Sequence, residues 1–166
     1  MYIKTKRLTL RPLTEGDHDE VIRLLMDRRV KDGYMIPDYE NESEAEPLFQ
    51  RLMALSQKEE FAVVGIFNDE GLAGYSNRVS SEDGCIELGW VIVPEKWNRG
   101  YCTEAVRALI DRLFADGYHE VAAGAFAHNA ASMRVMEKVG MMRLEKTEQI
   151  EYRGENRRVI CYSVRK

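Results

Sequence analysis

An α/β or α+β fold built on a mixed sheet is the class this sequence predicts, and three observations predict it. Short apolar runs of strand composition recur at residues 61–67, 72–79, 86–93 and 121–126. Amphipathic stretches of helical period stand among them, most clearly at residues 103–116. Strands and helices mix without strict alternation, so the sheet is expected to be mixed, with six to seven strands and about four helices around it.

Taken in order, residues 3–12 read as an edge strand ended by Pro12 and the polar turn Thr14-Glu-Gly-Asp17. Asp17 is placed to cap a helix running to about Arg29, with Val21, Leu24 and Leu25 on its faces. Asp32-Gly-Tyr-Met-Ile-Pro37 is a loop. Residues 42–58 form a second helix in which Leu48, Leu52 and Leu55 keep helical spacing and Pro47 disturbs the early part. The runs 61–67 and 72–79 flank Asn68-Asp-Glu-Gly71, a hairpin signal. A polar turn over residues 80–84 leads into Ile-Glu-Leu-Gly-Trp-Val-Ile-Val93. There Leu88, Trp90 and Ile92 share one face, Glu87, Gly89, Val91 and Val93 the other, and Gly89 suggests a bulge or kink. The helix at 103–116 aligns Val106, Leu109, Ile110, Leu113 and Phe114 on one face and closes at Gly117. A strand at 121–126, a helix at 130–139 stopped by Gly140, and a hairpin of 143–152 with 158–164 around Gly154-Glu-Asn156 complete the chain.

A chain of 166 residues fits one domain, 1–166, with a single core. Apolar residues at 45% and charged residues at 31% are near the globular average, which disfavours disordered, collagen-like and membrane classes. No apolar run approaches a membrane span, and the first residues lack the apolar centre of a signal peptide, so the expected location is the cytoplasm. Cys85, Cys102 and Cys161 are odd in number and widely spaced, and histidines do not cluster, so neither a disulfide framework nor a metal site is expected. A net charge of -4 argues against holding nucleic acid by bulk electrostatics. Lys96, Arg99 and Arg107 offer a local basic patch of a size suited to a small polyphosphate.

That patch surrounds the most informative segment, Pro94-Glu-Lys-Trp-Asn-Arg-Gly-Tyr-Cys-Thr-Glu-Ala105, a basic turn with one glycine that runs into an amphipathic helix. The first N–H groups of a helix have no intrahelical acceptor and stand at the positive end of its dipole. A turn that aims them at one point therefore binds an anion such as a phosphate. Gly100 lets the backbone approach that anion closely. A helix merely capped by Thr103, with no ligand, is the plainer alternative.

These residues resemble the GNAT superfamily of acyl-CoA-dependent N-acyltransferases, most closely its RimJ/RimL-like branch of ribosomal-protein N-terminal acetyltransferases. The family's pyrophosphate motif, [Gln/Arg]-x-x-Gly-x-[Gly/Ala], is matched by Trp97-Asn98-Arg99-Gly100-Tyr101-Cys102. Trp97 stands where the general pattern has Gln or Arg, Asn98 where the branch commonly has Gly, and Cys102 where it has Gly or Ala. Thr5-Lys-Arg-Leu-Thr-Leu-Arg-Pro12 looks like the branch's first strand, Gly100-Tyr-Cys-Thr-Glu-Ala105 like its Gly-Tyr-Ala-Thr-Glu-Ala, and Asn129-Ala-Ala-Ser-Met-Arg-Val-Met-Glu-Lys-Val-Gly140 like its next helix.

The resemblance implies a GNAT-like fold with a mostly antiparallel sheet and splayed central strands. It implies acetyl-CoA as co-substrate and no metal. The pyrophosphate would be held by the amides of Asn98, Arg99, Gly100, Tyr101, Cys102 and Thr103, and the pantetheine by main-chain groups of Val91 and Val93 and by Asn129. Asn129 capping the following helix is compatible with that role. Ser132 matches the residue proposed in the branch to protonate the departing thiolate; other members use a tyrosine one turn later, where this chain has Met136. Glu151, in Ile-Glu-Tyr, resembles a proposed general base, and Glu87 is a second candidate; each is as readily a solvated surface carboxylate. A thiol at a helix start can have a lowered pKa, but a small residue is sufficient reason for Cys102.

The implied reaction is direct attack of a primary amine on the thioester. The acceptor is left open among a peptide N-terminus, a polyamine, an amino acid and an aminated drug, with Tyr34-Met-Ile-Pro37 and the first helices as its wall. Glu42, Glu44 and Glu46 offer attraction to a cation or form a solvated face. A non-catalytic acyl-CoA-binding module, as sensor or subunit, is the alternative that Met136 keeps open. Neither nucleic acid nor membrane is expected as partner, and the chain is expected to be a monomer or a homodimer.

Overall fold

A computed structural model describes residues 1–166. It shows a mixed α/β fold with strands β1 (Ile3–Lys4), β2 (Thr9–Arg11), β3 (Val63–Asn68), β4 (Gly71–Glu82), β5 (Cys85–Ile92), β6 (Glu120–Phe126), β7 (Met142–Tyr152) and β8 (Glu155–Arg165). The helices are α1 (His18–Met26), α2 (Arg28–Lys31), α3 (Glu42–Ser56), α4 (Tyr101–Ala115) and α5 (Ala130–Lys138). The eight strands form one sheet in the order β1-β2-β3-β4-β5-β6-β8-β7.

Two expected elements are each divided. The single edge strand over residues 3–12 is a pair of short antiparallel strands, because the Thr5 N–H donates to the Leu8 carbonyl at 2.9 Å and the Thr5 hydroxyl accepts from the Leu8 N–H at 3.0 Å. A threonine closing a turn through its own hydroxyl needs no glycine or proline to mark it. The helix expected to run to Arg29 breaks at Asp27, whose extended backbone (ψ 117°) ends α1 and whose carboxylate accepts from the Arg29 N–H to start α2. These divisions raise the count to eight strands and five helices.

The chain packs as two compact units, Met1–Asn77 with Trp90–Ala105, and Arg78–Gly89 with Val106–Lys166. In the first, α1 and α3 bury Val21, Leu25, Phe49 and Leu52 together with Val63, Phe67, Tyr75 and Val91. Asp17 does not cap α1 with its side chain. Its buried carboxylate instead takes both Arg11 guanidinium nitrogens at 2.8 Å and the Thr14 N–H at 2.8 Å, fixing β2 to the start of the helical segment. Burial alone raises the Asp17 pKa, but the bonds from Arg11 and Thr14 outweigh it and hold the group below its usual value. A depressed folded pKa contributes stability that is present above the unfolded value and lost as pH falls through the folded one. Asp17→Asn is therefore expected to cost about 2–4 kcal/mol at neutral pH by leaving Arg11 without its carboxylate. Melting temperatures of the two proteins measured from pH 7 down to pH 2 should converge on acidification; a constant gap would contradict the assignment.

In the second unit β5 and β6 run parallel in register from Cys85 opposite Glu120 to Leu88 opposite Ala123. β5 continues beyond this unit to Ile92, and β6 runs to Phe126, paired antiparallel with β8 over its whole length. Buried residues include Ile86, Leu88, Val106, Leu109, Leu113, Val121, Ala123, Met136, Ile160 and Tyr162. Both hairpin turns in this unit are tighter than expected. Asp83 (φ 48°) with Gly84 (φ 74°), and Arg153 (φ 55°) with Gly154 (φ 73°), are two-residue turns with both positions left-handed, so residues 80–82, 155 and 156 belong to strands.

Candidate active site

α4 begins at Tyr101, two residues before the expected start, so Thr103 lies in its first turn and is not its cap. The first helical bond runs from the Glu104 N–H to the Gly100 carbonyl at 3.1 Å. The N–H groups of Tyr101, Cys102 and Thr103 consequently precede any intrahelical acceptor, which is the arrangement an anion requires. Asn98 and Gly100 both take left-handed backbone, at φ 60° and 79°. That explains asparagine where the branch commonly has glycine, because asparagine tolerates this conformation better than other side chains.

The turn is anchored from below. Trp97 follows a short 3-10 turn at Pro94–Lys96 and donates its indole N–H to the Ile92 carbonyl at 2.7 Å. The buried Lys96 ammonium donates to Asn68 Oδ1 at 2.7 Å, and Arg99 leans on Glu70 at 3.4 Å. Arg107 donates to the Lys138 carbonyl. The three cations read as a patch are thus engaged separately, and Lys96 acts as a strut under the turn. Cys102 is no activated thiol: loss of solvent pushes its pKa up to about 12.

The strand before the turn departs from the expected facing. Burial alternates along β5 as far as Leu88 and changes phase across Gly89 and Trp90, so that Val91 and Ile92 are both buried and Val91 joins the apolar core. The Val93 N–H donates to the Ala73 carbonyl at 2.9 Å, and its carbonyl accepts from the Lys96 N–H at 2.8 Å. The Val91 carbonyl lies against Gly74, where an added Cβ would stand 2.0 Å from it.

In the second unit Asn129 caps α5 through Oδ1, which accepts from the Ser132 N–H at 3.0 Å, bringing these two candidates together. Met136, one turn on, is fully buried. Glu87 is half-buried and accepts from the Ser80 hydroxyl at 3.2 Å. It sits opposite Ala122, itself opposite Ser163, whereas the exposed Glu151 sits opposite Asn156 near the far end of the outer strand. Three strand spacings and seven residues along β8 separate the two carboxylates by roughly 25 Å. They are alternatives and cannot serve one reaction centre. Glu87 shares a sheet face with Phe126, on which Tyr152 and His128 stack at 5.5 and 5.7 Å; Glu151 points to the opposite face.

The expected acceptor wall is largely structural. Ile36 lies in the core, and the Tyr34 hydroxyl donates to Asn77 Oδ1 at 2.5 Å. Glu44 supports the Asn41 cap of α3, and Glu46 accepts from Gln50 and pairs with His18. Met35 is exposed.

A family model described as an acetyltransferase (GNAT) domain matches residues 7–142. The chain belongs to the GNAT acetyltransferase family. YoaA of Bacillus subtilis, an N-acetyltransferase by name, is 26% identical over 147 residues, spanning 85% of this chain and 82% of that protein. YnaD of the same organism, also an N-acetyltransferase by name, is 30% identical over 145 residues, with 86% and 84% coverage. A GNAT-family acetyltransferase from Bacillus anthracis has a crystal structure that matches with a TM-score of 0.87 at 25% identity, covering 99% of this chain and 98% of that one. RimL, a ribosomal L7/L12 alpha-N-protein acetyltransferase in complex with coenzyme A, shares the fold with a TM-score of 0.87 at 19% identity and 99% and 98% coverage.

This GNAT chain is accordingly an acyltransferase. None of its helices is long and apolar enough to cross a membrane. Among the residues that bear on its site, sequence reading passed over Thr5, Arg7, Asn68 and Glu104. Glu104 accepts from the Thr5 hydroxyl at 2.7 Å and from the Arg7 N–H and Nε at 2.9 and 2.7 Å. The signal was present in Thr5-Lys-Arg7 and Thr103-Glu104, but nothing local ties segments 97 residues apart.

Proposed function

We propose that this GNAT acyltransferase is an acetyl-CoA-dependent N-acetyltransferase, formed by residues 1–166 as one domain and working in the cytoplasm, that passes acetyl directly to a primary amine. The start of α4 carries this reading: three first-turn amides follow a turn whose two left-handed residues and buried Lys96 strut hold it in place. A diphosphate is the part of acetyl-CoA that such amides recognise. The extension of β5 past its parallel register with β6 supports a role for its main chain toward the pantetheine, in which Val91, whose carbonyl faces Gly74, contributes through position. Val93, whose N–H is engaged by Ala73, contributes through position more than through that donor.

In the reaction the neutral amine attacks the thioester carbonyl, the C–S bond breaks, and the sulfur leaves with a proton. An α-amine, with a pKa near ~8, is about 3 kcal/mol easier to neutralise at pH 7 than a lysine near ~10.4. A site with modest acid-base equipment suits an α-amine, and the fold shared with RimL is in keeping with a protein N-terminus as acceptor. Small-molecule amines are the other class. Glu87, half-buried on the strand that leads to Val91, is the favoured base over Glu151. Ser132 is the proton source toward the sulfur, a hydrogen bond more than a strong acid. Ser132→Ala is expected to lower kcat about tenfold with KM for acetyl-CoA unchanged. Equal kcat in steady-state assays would remove the serine from the mechanism.

The test of the whole reading is thiol release from acetyl-CoA in the presence of peptides with free N-termini, polyamines, amino acids and aminated drugs. Release with at least one amine, and acetylated product by mass spectrometry, is the expected result. Binding of acetyl-CoA with no release from any amine would make the chain a module without turnover.

A further inference from the structure

Arg7 is the hub of a closed circuit under the phosphate turn. Its Nε and its own N–H donate to the two oxygens of Glu104 at 2.7 and 2.9 Å, and the Thr5 hydroxyl adds a third bond at 2.7 Å. Its NH1 donates to the Arg99 carbonyl at 2.9 Å, and its guanidinium lies 4.7 Å from the centre of the Tyr101 ring. Tyr101 is in turn touched by Asn68, the residue that receives the Lys96 ammonium. The circuit closes through the Glu104 N–H, which donates to the Gly100 carbonyl.

One of these bonds has a direct geometric result. A trans peptide is planar, with its C=O and N–H on opposite sides. Drawing the Arg99 carbonyl toward Arg7 therefore turns the Gly100 N–H the other way, away from the Arg7 side chain. Glycine resists rotation of that peptide less than any other residue, so an unanchored turn would lose the orientation readily. From this geometry we infer that Arg7, held by Glu104 and Thr5, is a positioning residue that sets the direction of the Gly100 amide for the diphosphate of the acyl donor. The inference rests on the donor reading of the turn. It assigns to the N-terminal segment a part in donor affinity that its place 92 residues from Arg99 hides.

The experiment is calorimetric titration of the full chain and of Arg7→Ala, Arg7→Lys and Glu104→Gln with acetyl-CoA, and with S-acetyl-pantetheine as a probe that lacks the diphosphate. A misplaced amide removes a charge-assisted bond, so Arg7→Ala should bind acetyl-CoA about tenfold more weakly, Arg7→Lys nearly as weakly because it keeps the charge and loses the fork, and S-acetyl-pantetheine should bind all four proteins alike. In NMR spectra the Gly100 amide should shift on adding CoA to the full chain and shift much less in Arg7→Lys. Should Arg7→Ala not fold, Arg7→Lys and Glu104→Gln carry the comparison. Acetyl-CoA affinity within twofold of the unaltered protein in the folded variants, or equal weakening for both probes, overturns the positioning role and leaves the donor reading standing. No acetyl-CoA binding by the unaltered protein overturns both.

Discussion

Gly74→Ala is expected to lower the melting temperature by roughly 6–12 °C. Gly74 has φ 156°, and the added carbon would stand 2.0 Å from the Val91 carbonyl and 2.9 Å from Ile92 Cα. Those are backbone atoms of β5, which cannot swing aside as a side-chain tip does. The next pair along, Val93 N–H to Ala73 carbonyl, holds the same two segments at 2.9 Å. Separating them disturbs Val91 and Tyr75 in the core, at a cost of about 3 kcal/mol. The same substitution displaces the stretch of β5 read as the pantetheine strand, so acetyl-CoA affinity should fall along with stability. Thermal unfolding followed by circular dichroism decides it, and a shift under 2 °C would mean that the close approach is absent in solution.

A different pattern is expected for Gly100→Val, in which acetyl-CoA affinity falls at least about tenfold while the melting temperature moves by only a few degrees. Gly100 is exposed, at φ 79°, and precedes α4. A β-branched residue is a marked outlier in the left-handed region and relaxes by rotating the adjoining peptide. That rotation turns away the amide that the diphosphate would meet, and the new Cβ also comes within 3.4 Å of Arg7 NH2. Isothermal titration with acetyl-CoA measures the loss. Undiminished affinity would show that the donor does not use this turn.

The contrast between these two glycines shows what the sequence discloses. Gly100 announces itself, because a basic turn before an amphipathic helix is a local pattern with a local cause, and α4 lies within two residues of its expected start. Gly74 does not, since its neighbour Val91 is distant in sequence and only the sheet brings them together. The same division holds elsewhere. The hairpin at Asn68 to Gly71 and the stop at Gly140 follow from turn residues and were legible. The Thr5 to Leu8 turn and the break at Asp27 rest on hydrogen bonds made by residues that also suit strands and helices, so each merged two elements into one in the sequence reading. Along β5, period-two reasoning held as far as Leu88 and failed beyond Gly89, where the phase of burial changes. Gly89 marked the place without giving the direction of the change.

For the candidate site, residue types near Gly100 and Asn129 were legible because both stand at helix starts, where capping and anion binding need recognisable groups. The carboxylates were not, because Glu87 and Glu151 look alike in sequence and only strand register shows them on opposite faces. Arg7 and Glu104 were invisible for the same reason, as their bond joins the first strands to α4.

Hydrogen exchange at the amides of residues 98–103, followed by mass spectrometry or NMR with and without CoA, tests the central claim most directly. Exchange at Gly100, Tyr101, Cys102 and Thr103 is expected to slow markedly when CoA is added, with the Gly100 amide protected in step with the others. Unchanged exchange at all of these amides under saturating CoA would contradict the proposal that the start of α4 grips the diphosphate.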